Sequence, residues 1–153
     1  MLHVVLYEPE IPPNTGNIIR LCANSGAALH LIEPMGFGWE DKRLLRAGLD
    51  YHEFVDVRRY QNFNVFLKEH GKKRIFPCTT KASQFYHQVV YESGDMLLFG
   101  PESRGLPADI REKFAAQQIK IPMYANSRSL NLSNAVAIIL YHALLSLDFE
   151  GLV

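Results

Sequence analysis

Two stretches in the last third of the chain concentrate side chains able to hold a polar ligand, and each follows an apolar run. Met96-Leu97-Leu98-Phe99 reads as a buried strand that stops at Gly100-Pro101-Glu102-Ser103-Arg104-Gly105-Leu106-Pro107. Ile119-Lys120-Ile121-Pro122-Met123 reads as a second strand ending the same way. It opens into Ser127-Arg128-Ser129-Leu130-Asn131-Leu132-Ser133-Asn134 and then a long apolar helix. Loops leaving the carboxyl ends of neighbouring strands are where α/β sheets bind ligands. Here they offer backbone N–H groups, the Glu102 carboxylate, the guanidinium groups of Arg104 and Arg128, and several hydroxyls and amides. That equipment suits a polar small molecule gripped beside an anionic partner. A third segment, Asn14-Thr15-Gly16-Asn17-Ile18-Ile19-Arg20, sets Asn14 at a predicted helix start and Arg20 almost two turns on. Alone, it equally suits a capped helix with a solvated arginine, and Glu102 with Arg104 equally suits a weak surface pair. Three such segments at strand ends of one short chain favour a shared pocket.

Other chemistries lack their residues. No G-x-G-x-x-G or Walker pattern follows a strand, and Gly36-Phe37-Gly38 has no third glycine. Ser103 sits in only a loose nucleophile-elbow context, because Pro101 stands where glycine is needed. The histidines form no ligand pattern, so no metal is expected. Cys22 and Cys78 read as small buried hydrophobes, since two thiols without metal-type spacing make no disulfide framework.

The elements that must position these loops follow from periodicity and breakers. Leu2 to Tyr7 predicts a strand, and Asn14 or Thr15 can cap a helix running to about Ser25, closed by Gly26. Leu29 to Ile32 predicts a strand, then a loop and a basic helix from near Asp41. Phe54 to Val57 predicts a strand, Asn62 to His70 a helix closed by Gly71, and Arg74 to Thr79 a strand. A helix is expected over Pro107 to Ala116. Strands alternating with helices predict an α/β fold, a mostly parallel sheet flanked by helices, in one domain spanning 1–153. The helix from about Leu132 to Leu147 carries two apolar stripes, one through Val136, Ile139 and Leu140, the other through Ala135, Ile138, Tyr141 and Leu145. A helix apolar on most of its circumference needs covering there, which predicts a subunit interface.

Sixteen basic residues balance sixteen acidic ones, arguing against coating nucleic acid by bulk charge but not against a local patch. Lys42, Arg43 and Arg46 are spaced to share a helix face, and Lys72-Lys73-Arg74 is a second basic run; either could equally be solvated surface. No run approaches the roughly 18 apolar residues of a membrane span, and no basic region precedes the short N-terminal apolar run. A cytoplasmic protein is expected.

Together, Asn14-x-Gly16-x3-Arg20, Phe99 to Leu106, and Ile121-Pro122-Met123 to Ser129-Leu130-Asn131-Leu132-Ser133 resemble the three motifs of the SpoU branch of the SPOUT methyltransferases. The resemblance covers essentially the whole chain and is closest to the minimal members of the branch. It implies a C-terminal trefoil knot, an S-adenosylmethionine site and a homodimer. Carried over by position, it implies cofactor contacts at Cys78, Thr79, Gly100, Ile121, Ser129 and Leu130; Cys78 stands where relatives often have leucine. Arg20, Glu102 and Asn131 match residues linked to methyl transfer and pocket shape, and Arg128 and Tyr141 match RNA-binding residues. The subgroup methylates the ribose 2′-oxygen of the wobble nucleotide, cytidine or a modified uridine, in the anticodon loop of leucine tRNAs. Two alternatives stand beside that: the same reaction at another tRNA or rRNA position, and a non-catalytic RNA-binding protein. Because guanidinium stays protonated, Arg20 is expected to donate to a developing alkoxide, with the proton acceptor left open.

Overall fold

A computed structural model describes residues 1–48 and 56–153. Five parallel strands form one sheet: β1 (His3–Tyr7), β2 (Ala28–Ile32), β3 (Val57–Tyr60), β4 (Ile75–Cys78) and β5 (Met96–Phe99), in the order β3-β2-β1-β5-β4. Among the described residues five α-helices accompany them: α1 (Pro12–Ser25), α2 (Lys42–Gly48), α3 (Phe63–His70), α4 (Ala108–Lys113) and α5 (Leu132–Ser146). A fully parallel sheet is buried on both faces, so its strands read as near-continuous apolar runs. β2 and β5 are buried at every position. One face, with Val4, Leu6, Leu29, Leu31, Leu97 and Phe99, packs with buried residues of α1 and α5. The other, with Val5, Ile32, Met96 and Leu98, packs with Phe66 of α3 and Ile110 of α4.

Three expected elements come out differently. Ile119 to Met123 is not a strand: among the described residues it makes two isolated parallel bridges, Cys78 with Ile119 and Phe85 with Lys120. Pro77 lies on the edge strand and accepts from the Ile119 N–H at 2.9 Å, but has no N–H to donate, and Pro122 then ends the segment. The third strand is Val57–Tyr60 rather than 54–57; positions 54 and 55 lie outside the described residues. Asn14 is not a helix cap. The helix starts at Pro12, with prolines in its first two positions, and Asn14 is buried inside the first turn.

A chain of mostly buried polar groups runs along the α3 side of the sheet. His3 Nδ1 meets His30 Nε2, His30 Nδ1 meets the Tyr60 hydroxyl, and that hydroxyl meets His70 Nε2, each at 2.9 Å. Burial lowers the His3 pKa to about 4 and the His30 pKa to about 3, so both rings are neutral near pH 7. Among the described residues, His70 Nδ1 is buried with no hydrogen-bond partner.

Candidate functional site

The loops after β1 and β5 hold each other through reciprocal carboxylate contacts. Glu102 accepts from the N–H groups of Glu10 (2.7 Å) and Ile11 (3.1 Å), which precede the helix start. Pro12 and Pro13 have no N–H, so Glu102 supplies, from across the sheet, the cap that α1 lacks in its own sequence. In return the Glu10 carboxylate accepts from Ser103 N–H at 2.9 Å and from its hydroxyl at 2.7 Å. Those bonds hold the Glu10 carboxyl below its usual pKa. Arg104 Nη2 lies 3.6 Å from Glu8 on the same seam.

Asn14 extends this network to the third loop. Its Nδ2 reaches Glu102 Oε1 at 3.4 Å, and its Oδ1 accepts from Asn131 Nδ2 at 3.0 Å. The Asn131 Oδ1 caps α5, accepting from Ser133 N–H at 2.9 Å and Asn134 N–H at 3.4 Å. Glu102, Asn14 and Asn131 thus fasten β1–α1, the loop after β5 and the start of α5 into one frame. The identity of Gly100 is forced at this point, since a Cβ there would collide with the backbone of Gly105 and Leu106.

Within that frame lies a cavity of about 280 Å³ at the carboxyl ends of β4 and β5. Cys78, Thr79, Gly100, Ile121, Ser129 and Leu130, all singled out in the sequence, line it together. Arg104 lines it as well; from sequence it could not be told from a surface arginine. Burial pushes the Cys78 thiol well above its ordinary pKa, leaving it an uncharged wall residue. Among the described residues, no group of three or more His, Cys, Asp or Glu side chains could hold a metal ion.

The remaining predicted residues sit elsewhere. Glu102 and Asn131 belong to the frame and do not line the cavity. Arg20 is exposed on α1, on the stripe with Asn17 and Asn24. Arg128 is exposed in the loop just before Ser129, and Tyr141 on α5 is 40% exposed with its ring 6.5 Å from that of Phe149. Lys42, Arg43 and Arg46 are exposed on α2, with Arg43 paired to Asp41 at 3.1 Å. Of the second basic run, Arg74 is bound to Glu92 (2.7 Å) and Asp95 (3.2 Å), while Lys72 and Lys73 are exposed. Asn14 is the frame residue that the helix-cap expectation misplaced, although it belonged to the first motif.

The profile of the SpoU rRNA Methylase family matches residues 1–141. The chain is 58% identical over 154 aligned residues to the tRNA (cytidine(34)-2′-O)-methyltransferase of Escherichia coli K12, covering 100% of this chain and 98% of that protein. A solved structure concerned with the 2-OH methylation of C/U34 on tRNA superposes with a TM-score of 0.93 at 44% identity over 97% of each chain. An AdoMet-bound rRNA methyltransferase from Sinorhizobium meliloti superposes at 0.86 with 25% identity, over 95% of this chain and 56% of that one. Matched along nearly all of its length, and with the motif loops closed around one cavity, the chain belongs to the SpoU methylase family.

Proposed function

We propose that the chain is an S-adenosylmethionine-dependent tRNA 2′-O-methyltransferase acting on the ribose of wobble nucleotide 34, cytidine or uridine, in leucine tRNAs. One observation carries the reading: all six positions assigned to the cofactor by family resemblance line a single cavity. Its walls fit that group. Phe99, Ile119 and Leu132 offer apolar surface for a purine, while Thr79, Ser129 and Arg104 offer hydroxyls and a cation for ribose and carboxylate. The activity named for relatives as similar as 58% identical points the same way.

When bound, the cofactor supplies a methyl group on positively charged sulfur. The chain's own contribution is position and charge. Glu102 and Asn131 hold the loops in register, and pre-set geometry of that kind can supply much of the rate. Arg20 donates to the oxygen that becomes negative as the ribose proton leaves; a permanently protonated guanidinium suits donation, not proton removal. Arg128, Tyr141, Lys42, Arg43 and Arg46 form the RNA surface, with phosphates setting register and an unstacked base giving specificity.

The protein works as a homodimer in the cytoplasm, each chain one domain with its C-terminal segment knotted as in the family. The second stripe of α5 supports the dimer. Ile138, Tyr141 and Leu145 are 38%, 40% and 57% exposed, whereas Val136, Ile139, Leu140 and Ala143 on the first stripe are fully covered. A two-fold partner seated there would bury that stripe, and sedimentation at micromolar concentration should find the dimer.

The deciding experiment maps ribose methylation by mass spectrometry in leucine tRNA incubated with protein and S-adenosylmethionine. Methyl at nucleotide 34 is expected, with cofactor binding near micromolar, about 8 kcal/mol, by calorimetry. Methylation at another nucleotide would reassign the substrate. Cofactor binding and tRNA binding without methyl transfer would make the chain a non-catalytic binder.

A further inference from the structure

A second groove of about 290 Å³ adjoins the cavity, and the two share Thr80, Lys120, Ile121 and Met123 in their walls. Two aromatic rings belong to the groove alone, those of Phe85 and Tyr124. The Phe85 wall is rigid. Phe85 and Lys120 form a parallel bridge, reinforced by Tyr86 N–H to Lys120 O at 2.9 Å and Lys120 N–H to Gln84 O at 3.0 Å. Lys120 Nζ lies 5.6 Å from the centre of the Phe85 ring, which places a cation beside an aromatic face. Tyr124 stands across a tight turn closed by Ser127 N–H to Tyr124 O at 3.2 Å, with Asn126 in the left-handed region at φ 64°. The residue is 92% exposed, which leaves its ring open to a ligand.

Two aromatics, one ammonium, and the amide and hydroxyl groups of Asn126 and Ser127 match what single-stranded nucleic acid needs: faces for bases and a cation for phosphate. Peptide and lipid partners fit less well, since Thr80, Lys120, Asn126 and Ser127 set polar groups among the apolar residues of the wall. Resting on the RNA-methylating reading above, we propose that this groove is a stacking subsite. In it Tyr124, with Phe85 and Lys120 lining the same groove, holds an unstacked base next to the nucleotide whose ribose enters the cavity. Continuity of the two grooves along Thr80, Lys120 and Ile121 is what places that base beside the target.

The test uses Tyr124→Ala, Tyr124→Phe and Phe85→Ala in the full-length protein, with S-adenosylhomocysteine present. Affinity is read by anisotropy for tRNA and for a labelled oligouridine. Losing one base stack weakens binding about ten- to a hundredfold, so Tyr124→Ala should show that loss on both RNAs while Tyr124→Phe stays near wild type. The salt dependence of Tyr124→Ala should keep the wild-type slope, because no phosphate contact is removed. Cofactor affinity should not change, since neither ring lines the cavity. Wild-type RNA affinity in Tyr124→Ala overturns the subsite. So does a parallel loss of cofactor, which would make the groove part of the cavity, or a shift to monomer, which would make it a subunit contact. If the wild type methylates no RNA yet binds oligouridine through Tyr124, the proposed reaction fails and the subsite stands. If it methylates tRNA and Tyr124→Ala is unaffected, the subsite alone fails.

Discussion

The molecule contains two polar networks of similar size built on opposite physical terms. Along the α3 side, His3, His30, Tyr60 and His70 exchange hydrogen bonds in a neutral chain, mostly buried, linking β1, β2, β3 and α3. At the carboxyl ends of β1 and β5, Glu10, Asn14, Glu102, Ser103 and Asn131 form a partly exposed network whose carboxylates receive backbone N–H groups. Burial makes the first network unforgiving and uncharged; every lost partner leaves a stranded polar atom. Exposure lets the second keep its charge and spend it on fixing loops. The first network is therefore expected to govern whether the chain folds, and the second what shape the cavity takes.

The largest expected effect falls on the buried network. Tyr60→Phe removes one oxygen, strands His30 Nδ1 and leaves His70 Nε2 only the Glu69 carboxylate 3.6 Å away, costing about 4 kcal/mol of stability. Cofactor affinity of the folded fraction should be unchanged. Urea denaturation beside calorimetry would measure both, and a loss under about 1 kcal/mol would mean the chain is not an energetic unit.

Next in size is Arg20→Ala, on the helix that the exposed network anchors. Loss of a transition-state donor costs about 3 kcal/mol, roughly a hundredfold or more in single-turnover methylation. Cofactor binding and thermal stability should be retained. Undiminished transfer would remove Arg20 from the reaction.

A pH profile separates the two networks without mutation. Unfolded histidines titrate near pH 6.5, whereas His3 and His30 in the fold do so at about 4 and 3, mainly through burial. Between these values the unfolded chain binds more protons. Histidine-linked stability is complete above about pH 6.5 and falls on acidification, by about 1.4 kcal/mol per pH unit for each extra proton. A denaturation series from neutral to mildly acid pH should slope accordingly; a flat series would break the contrast.

The smallest effect belongs to Asn131→Ala. Losing a helix cap costs about 1 kcal/mol, and the change also frees Asn14 on one side. Cofactor affinity should drop more than stability does, because Ser129 and Leu130 lie just before the lost anchor. Equal loss in both would argue that Asn131 serves only α5.

The legible parts of the fold are those written locally. β2 and β5 are short apolar runs bounded by breakers, and α5 announces both of its stripes. Ile119 to Met123 looks like a strand for the same reason, but its pairing depends on what Pro77 can offer, which no local pattern contains. Asn14 looks like a cap because prolines precede it, yet the capping carboxylate comes from Glu102. The histidine chain is invisible in sequence, since only the sheet register joins positions 3, 30, 60 and 70. The cavity positions are legible through family resemblance, which stores long-range contacts that periodicity cannot express. Tyr124 and Phe85 were covered by neither route and emerge only from the groove they share.

The seam between Glu10 and Ser103 also sets a schedule. β1 is the central strand, and one of its two neighbours, β5, begins at Met96. During synthesis the first helix leaves the ribosome with Glu10 and Ile11 unsealed, and nothing can seal them until residue 102 has emerged, some ninety positions later. Contacts of such sequence separation form late and slowly. The growing chain would thus carry an open sheet edge along β1 for most of its translation, the condition in which nascent chains most need chaperone shelter.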